Sequence, residues 1–270
     1  MQPLADLDAI NRRAWRDPAT VRMYQHLEGW TDPGEQVAVE SVAAEMRSLP
    51  ILDIGVGAGR TTGLLRAISC DYVGIDYTPE MVEACRVRHP GARVEHMDAR
   101  DLGAFSDGQF ALVVFSYNGI DAVDFADRMR VLREVHRVLR PRGIFLMSAH
   151  NRDAPGVSTQ RPRLHLQFSW NPLRLGWRLL QLARSWVRSA ANYRRFASMT
   201  QAHGEWTVRN CAAHDFSIVI LYTSLAGQKR QLQEAGFVLE RVAGSSDGQW
   251  VTVDIDTRNP WLHYIARKAG

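Results

Sequence analysis

The chain has little cysteine: Cys70, Cys85 and Cys211 are an odd number, far apart in 270 residues. That excludes a disulfide framework and a zinc site, so no metal is expected, and it suits a reducing compartment. No run of about eighteen apolar residues occurs, so no transmembrane helix is expected. The start Met1-Gln2-Pro3-Leu4-Ala5-Asp6 has neither a basic lead nor an apolar core, unlike a secretory signal. The expected location is therefore the cytoplasm. There is no internal repeat and no low-complexity tract. Acid is missing from one block altogether. Ala154–Gly204 contains no Asp or Glu but holds Arg161, Arg163, Arg174, Arg178, Arg184, Arg188, Arg194 and Arg195. This is the main compositional boundary in a chain whose net charge is only +4.

What is present is an ordinary globular composition, 46% hydrophobic and 23% charged, in a length that suits one large domain with an insertion. Its most informative stretch is Ile51-Leu52-Asp53-Ile54-Gly55-Val56-Gly57-Ala58-Gly59-Arg60. Apolar residues and an Asp lead into Gly at every second position, and a helical pattern follows. Such a junction lets a nucleoside lie against bare backbone, with helix N–H groups beyond it. About twenty residues later a second apolar strand, Tyr72-Val73-Gly74-Ile75-Asp76, ends in an acid placed to accept ribose hydroxyls.

The Asp-x-Gly-x-Gly-x-Gly form resembles the class I (Rossmann-like) methyltransferases that use S-adenosylmethionine (SAM). Val73–Met81 is similar to the family's second strand and following helix, and Met97-Asp98-Ala99 to its adenine-contacting turn. Arg137–Phe145 is similar to its Leu-Lys-Pro-Gly-Gly turn into the fifth strand; Arg142 replaces the first Gly and Gly143 is retained. The resemblance covers about residues 50–150. It implies SAM as cofactor, with Asp53, Gly55, Gly57 and Gly59 as its loop and Asp76 as the ribose acid. Tyr77 and Ser116 would line the cofactor, and Asp98 and Ala99 would face adenine. The scattered thiols speak against arsenic methylation. The segment Phe115–Asp121 lacks the Asn/Asp-Pro-Pro-aromatic of nucleic-acid amino methylation, and the chain lacks the Pro-Cys of cytosine C5 enzymes.

The expected fold class is α/β: a doubly wound, mostly parallel seven-stranded sheet with N-terminal helices and a helical lid insertion after strand five. The expected domains are a helical cap (4–47, within 1–47), the SAM-binding core (48–150), an Arg-rich lid (151–214) and a C-terminal completion of the core sheet (215–270). Asp17-Pro18 and Asp32-Pro33 are helix starts. Strands are expected near 50–54, 71–76, 92–96, 110–116, 143–149, 215–222, 237–243 and 261–267. Helices are expected near 59–68, 79–88, 124–139, 172–196 and 224–235. On the 172–196 helix, five arginines share one side. Leu175, Leu179, Leu182, Ala183, Trp186, Ala190 and Tyr193 lie opposite.

For chemistry, His150-Asn151 ends strand five in the expected cleft, and an imidazole there can take a proton from an attacking hydroxyl or amine. A strand-end His satisfied by backbone is the plainer alternative. Tyr117 and Asn118 sit where the family places the transferred methyl, although Asn118-Gly119 is equally a turn. His214-Asp215 is a second candidate pair. Tyr193 and Tyr222 offer aromatic faces or core packing. The Arg helix reads first as a solvated lid. An anionic-substrate or acidic-carrier site comes second, and membrane docking through Trp170, Trp177 and Trp186 is third and not favoured. Nucleic acid is not expected. The reading is a methyltransferase acting on oxygen or nitrogen of a small molecule, as in secondary metabolism. Two alternatives stand beside it. One is a SAM enzyme releasing methylthioadenosine, by aminocarboxypropyl transfer or intramolecular cyclisation. The other is a non-catalytic SAM-binding or membrane-associated module. Substrate identity and oligomeric state are not legible.

Overall fold

The structure is a computed structural model that describes residues 5–157, 159–162 and 168–270. Leu4, where the expected cap begins, and Arg163 lie outside the described residues. The cap is three helices: α1 (Ala5–Trp15), α2 (Pro18–Gln25) and α3 (Pro33–Ala43). Both Asp-Pro starts act as read. The Asp17 carboxylate accepts from Ala19 N–H and the Asp32 carboxylate from Glu35 N–H, each with Pro in the first turn. Asp32 also accepts from Trp261 Nε1 and from His263 Nε2, which pins the cap to the far side of the sheet.

The core then alternates as β1 (Ile51–Ile54), α4 (Thr62–Ile68), β2 (Tyr72–Asp76), α5 (Pro79–Arg88), β3 (Arg93–His96), β4 (Phe110–Phe115), α6 (Phe125–Val138) and β5 (Leu139–His150). The insertion carries α7 (Pro172–Arg195), β6 (Gln201–His203), β7 (Trp206–Asn210) and β8 (Val219–Thr223). The chain ends with α8 (Leu225–Glu234), β9 (Phe237–Gly244) and β10 (Trp261–Lys268). The main sheet has seven strands in the order β3-β2-β1-β4-β5-β10-β9. The first five run parallel, and β10 pairs antiparallel with β5 and β9. Strand order reverses between β1 and β4, the place where open α/β sheets bind ligands at their carboxyl edge.

Both sheet faces are covered, which is why the central strands read as unbroken apolar runs. Leu52, Ile54, Val113, Phe145 and Met147 pack against Val131, Leu132 and Val135 of α6 and Leu232 of α8. Ile51, Leu112, Val114 and Leu146 point the other way, onto Ala38, Val39 and Val42 of α3 and Leu65 of α4.

Three sequence expectations change. The 215–222 strand does not join the core: β8 pairs with β7 in a separate antiparallel sheet, β6-β7-β8. An apolar run carries no label for its partner, and β6 and β7 are too polar to read as strands. The insertion therefore extends through Thr223, where a single bridge to Asn151 ties the small sheet to the end of β5. Strand β5 begins at Leu139 rather than 143, and its register against β4 shifts there. Arg142, in the place of a family glycine, has φ +62°, a left-handed conformation costing about 1–2 kcal/mol in a non-glycine residue. Helix α4 begins at Thr62 rather than 59, because the glycine loop must finish turning first.

Candidate active site

A cavity of about 450 Å3 opens at the carboxyl edge of β1, β2 and β4, within the size range of small-molecule sites. Gly55, Gly57, Asp76, Tyr77, Asp98, Ala99, Ser116, Tyr117 and His150 all reach it. Trp15, Met23 and Tyr24 of the cap and His214 of the insertion close it from above.

The glycine loop is built around Asp76. One carboxylate oxygen accepts from Gly57 N–H at 2.9 Å and the other from Thr78 N–H at 2.8 Å. Burial raises the Asp76 pKa against those two bonds. At Gly57, φ is +55° and a side chain would enter the cavity, meeting the edge of Tyr24 at 3.8 Å and Gly55 O at 4.0 Å. Gly59 faces elsewhere. It lies outside the cavity, and an added Cβ would fall 2.6 Å from His89. Its expected role in holding cofactor thus gives way to packing the loop on α5.

Asp53 also departs from its expected role. It is buried outside the cavity, where one oxygen accepts from Thr61 Oγ1 and Tyr72 OH and the other has no partner among the described residues. Burial pushes it up to about 6. Ionised Asp53 therefore costs about 3 kcal/mol at neutral pH. Both states are protonated at low pH. As pH rises from about 4 to about 6 the unfolded chain ionises first, so stability falls and then stays lower. Asp53→Asn is expected to gain stability relative to wild type between pH 4 and pH 8. Urea unfolding at both pH values checks this, and a difference independent of pH would contradict it.

The Met97-Asp98-Ala99 turn is fixed by ion pairs. Asp98 accepts from Arg12 at 2.7 Å and from Arg100, and these cations outweigh its burial and hold it at about 2. Arg12 also lies over the Tyr77 ring at 4.3 Å. Helix α1 is thereby fastened across this end of the cavity.

Behind the opposite wall, Arg60 and Glu35 form a buried bidentate pair, with N–O distances of 2.6 and 2.7 Å. Arg60 also donates to Ser116 Oγ and sits 4.8 Å from the Tyr117 ring centre. Tyr117 and Asn118 are both left-handed, at φ +53° and +62°. Asn118 N–H donates to Ser148 Oγ, while its side-chain oxygen is buried without a partner among the described residues. Sequence reading missed Arg60 and Glu35, which nothing local connects.

His150 has a partner that the sequence did not reveal. Its Nδ1 lies 2.8 Å from Asp121 Oδ2, and its backbone N–H donates to the same oxygen at 2.7 Å. Asp121 is fully buried and pairs through Oδ1 with fully buried Arg128 at 2.6 Å. Arg128 in turn donates to Gln231, Gln228 and Ile120 O. An ionised carboxylate only accepts, so Nδ1 carries the hydrogen and Nε2 is left as an acceptor. Removing Arg128 strands the Asp121 charge in the core. Arg128→Met is expected to cost about 3–5 kcal/mol in urea unfolding. A loss below about 1 kcal/mol would mean that the pair does not hold this wall.

Two other candidates are structural. The Asn151 side chain is fully buried and donates to Asp256 O and Asn259 O, away from the cavity. Tyr193 packs edge-on to Phe216, also off the cavity. Tyr222 is core, tilted against the His150 ring. His214 does reach the cavity, stacked on Tyr24 and edge-on to Trp15, and burial lowers its pKa. His214, Asp215 and Phe216 are successively left-handed, at φ +52°, +54° and +56°. Asp215 is held in that shape by Ser185, Ser189 and Asn192 of α7.

The fold and this site define a class: a Rossmann-like domain with a nucleoside cleft at its switch point. Residues 51–143 match the family model described as a methyltransferase domain, so this core is that of a class I SAM-dependent methyltransferase. SAM is the cofactor of that family. The cavity suits it, with an acid at the second strand end, bare backbone at Gly57 and an unpartnered Asn118 oxygen. Among relatives, the chain is 29% identical over 136 residues to an uncharacterized methyltransferase of Synechocystis sp., covering 50% of this chain and 58% of that one. It is 28% identical over 132 residues to a probable SAM-dependent methyltransferase of Mycolicibacterium smegmatis, 48% of this chain and 50% of that one. The chain thus spans about half the length of the curated relatives it matches.

Among solved structures, a SAM-dependent methyltransferase from Mesorhizobium loti superposes with a TM-score of 0.54 at 20% identity, over 86% of this chain and 98% of that one. Burkholderia thailandensis 1,6-didemethyltoxoflavin-N1-methyltransferase, with its substrate and S-adenosylhomocysteine bound, gives 0.60 at 13% identity, over 100% and 92%. At such identities these likenesses concern the fold. No helix among the described residues is long and apolar enough to cross a membrane.

Proposed function

We propose that the protein is a SAM-dependent methyltransferase of small molecules, acting on an oxygen or nitrogen acceptor that arrives protonated. The observation that carries this reading is the His150–Asp121 pair opening onto the same cavity as the glycine loop and Asp76. When bound, SAM supplies an electrophilic methyl group on a positively charged sulfur. Gly55 and Gly57 would let its nucleoside approach the backbone, and Asp76 would accept from ribose hydroxyls. Asn118 Oδ1 offers an acceptor to a cofactor or substrate N–H or O–H. His150 Nε2 takes the acceptor's proton, while Asp121 fixes the ring and stabilises its charged form. Trp15, Tyr24 and His214 keep water out, and neutral His214 adds no competing charge.

Enclosure by the cap and the insertion supports a small acceptor over a macromolecule. The Burkholderia neighbour is, by its name, a 1,6-didemethyltoxoflavin-N1-methyltransferase. The test is to incubate the protein with methyl-labelled SAM and either the small-molecule filtrate or the macromolecular fraction of a cell extract. Label should enter the filtrate compounds in a His150-dependent manner. Label confined to protein or nucleic acid would overturn the reading.

A further inference from the structure

Helix α7 is mounted with an apolar stripe turned outward. On its inner side Ser185, Ser189 and Asn192 bond to Asp215, with Leu175, Leu182 and Tyr193 half-buried beside them. On its outer side Leu173, Trp177, Leu180, Val187 and Ala191 recur at helical spacing, all exposed. Leu173 is 84% exposed, Trp177 59% and Val187 60%. Trp170, just before the helix, is 92% exposed. A surface helix ordinarily turns such a stripe toward the core. This one extends over about 27 Å and has no covering element among the described residues.

We infer that this face docks on an anionic phospholipid bilayer. Charge complementarity selects that occupant. Arg184 lies within the stripe, Arg174, Arg188 and Arg194 are exposed beside it and Arg195 follows at its end, and no acid occurs from 154 to 204 to oppose them. Among the described residues, Arg188 alone of these approaches a carboxylate, Asp215, at 3.7 Å. Arginine can bury its stem along apolar surface and leave its head among phosphates. Exposed Trp at 170, 177 and 186 suits the boundary between headgroup and acyl chain. With so many arginines the helix lies in the surface plane rather than crossing it. The stripe is distinct from the Leu175–Tyr193 side and is apolar apart from Arg184.

The inference stands on α7 alone and does not depend on methyl transfer. It does place the bilayer next to the site. A groove lined by Arg188, Asn192 and Arg195 of α7 and by Arg13 and Asp17 of the cap shares Met23 and His214 with the main cavity.

The test is co-sedimentation of the full chain with vesicles of phosphatidylcholine, with and without phosphatidylglycerol. Binding to the phosphatidylglycerol vesicles should be about tenfold tighter or more, and should weaken as salt rises. Trp177→Glu with Leu180→Glu should lose that binding by at least about tenfold, with an unchanged circular dichroism spectrum. Arg174→Gln with Arg184→Gln should lose the preference for phosphatidylglycerol. No sedimentation with phosphatidylglycerol vesicles would overturn the inference, even if α7 captured an acidic protein instead. Equal binding by wild type and the Trp177→Glu/Leu180→Glu variant would also overturn it.

Discussion

His150→Gln is expected to lower turnover by at least about a hundredfold while SAM affinity stays near wild type. Glutamine keeps the length and polarity of the side chain but cannot accept the acceptor's proton at neutral pH. Among the described residues lining the cavity, His150 is the one imidazole whose Nδ1 meets a carboxylate, so its Nε2 is held as a base in one orientation. His214 cannot stand in, since its ring stacks on Tyr24 and no carboxylate among the described residues bonds to it. The effect should appear in kcat more than in KM. A variant with nearly normal turnover would show that the acceptor needs no base. Asp121→Asn is a poorer test, because it leaves the buried Arg128 charge unpaired and costs stability as well.

The second large effect lies at the glycine loop. Gly57→Val should abolish SAM binding, a loss of at least about a hundredfold, without unfolding the domain. The residue is left-handed and its missing side chain faces open cavity, so valine meets little protein but fills the nucleoside's approach. The left-handed valine costs about 1–2 kcal/mol, which a core of this size can absorb. Asp76→Ala should weaken SAM by about 1–3 kcal/mol, because a charge-assisted acceptor is lost and Gly57 N–H loses its partner. Calorimetric titration of the folded variants measures both. Wild-type affinity in Gly57→Val would place the cofactor elsewhere.

The sheet was legible because its cause is local. Buried parallel strands read as apolar runs, and caps such as Asp17 and Asp32 announce themselves beside proline. The meeting of Gly57 and Asp76 was legible because a glycine loop and a strand-end acid leave marks at fixed spacing. Asp53 and Gly59 share that spacing, yet one is buried against Tyr72 and the other packs on His89. A motif records which residues co-occur; it does not separate those that touch a ligand from those that shape the loop. Asp121 was missed because 29 residues separate it from His150, and only the adjacency of β4 and β5 brings the two strand ends together. The partners of Asn151 and Tyr193 are equally remote in sequence, so both looked available when they are not. The lid was legible as an insertion, but β8 belongs to it and not to the core, and its outward stripe depends on which side of α7 the Asp215 turn holds.

The measurement that bears most directly on the central claim identifies the nucleoside formed from SAM when the protein is incubated with it and a small-molecule cell extract. S-adenosylhomocysteine should accumulate only when extract is present, and should fall at least about a hundredfold with His150→Gln. Methylthioadenosine formed without any added acceptor, or SAM bound and returned unchanged with every extract tried, would contradict the assignment of methyl transfer to this cavity.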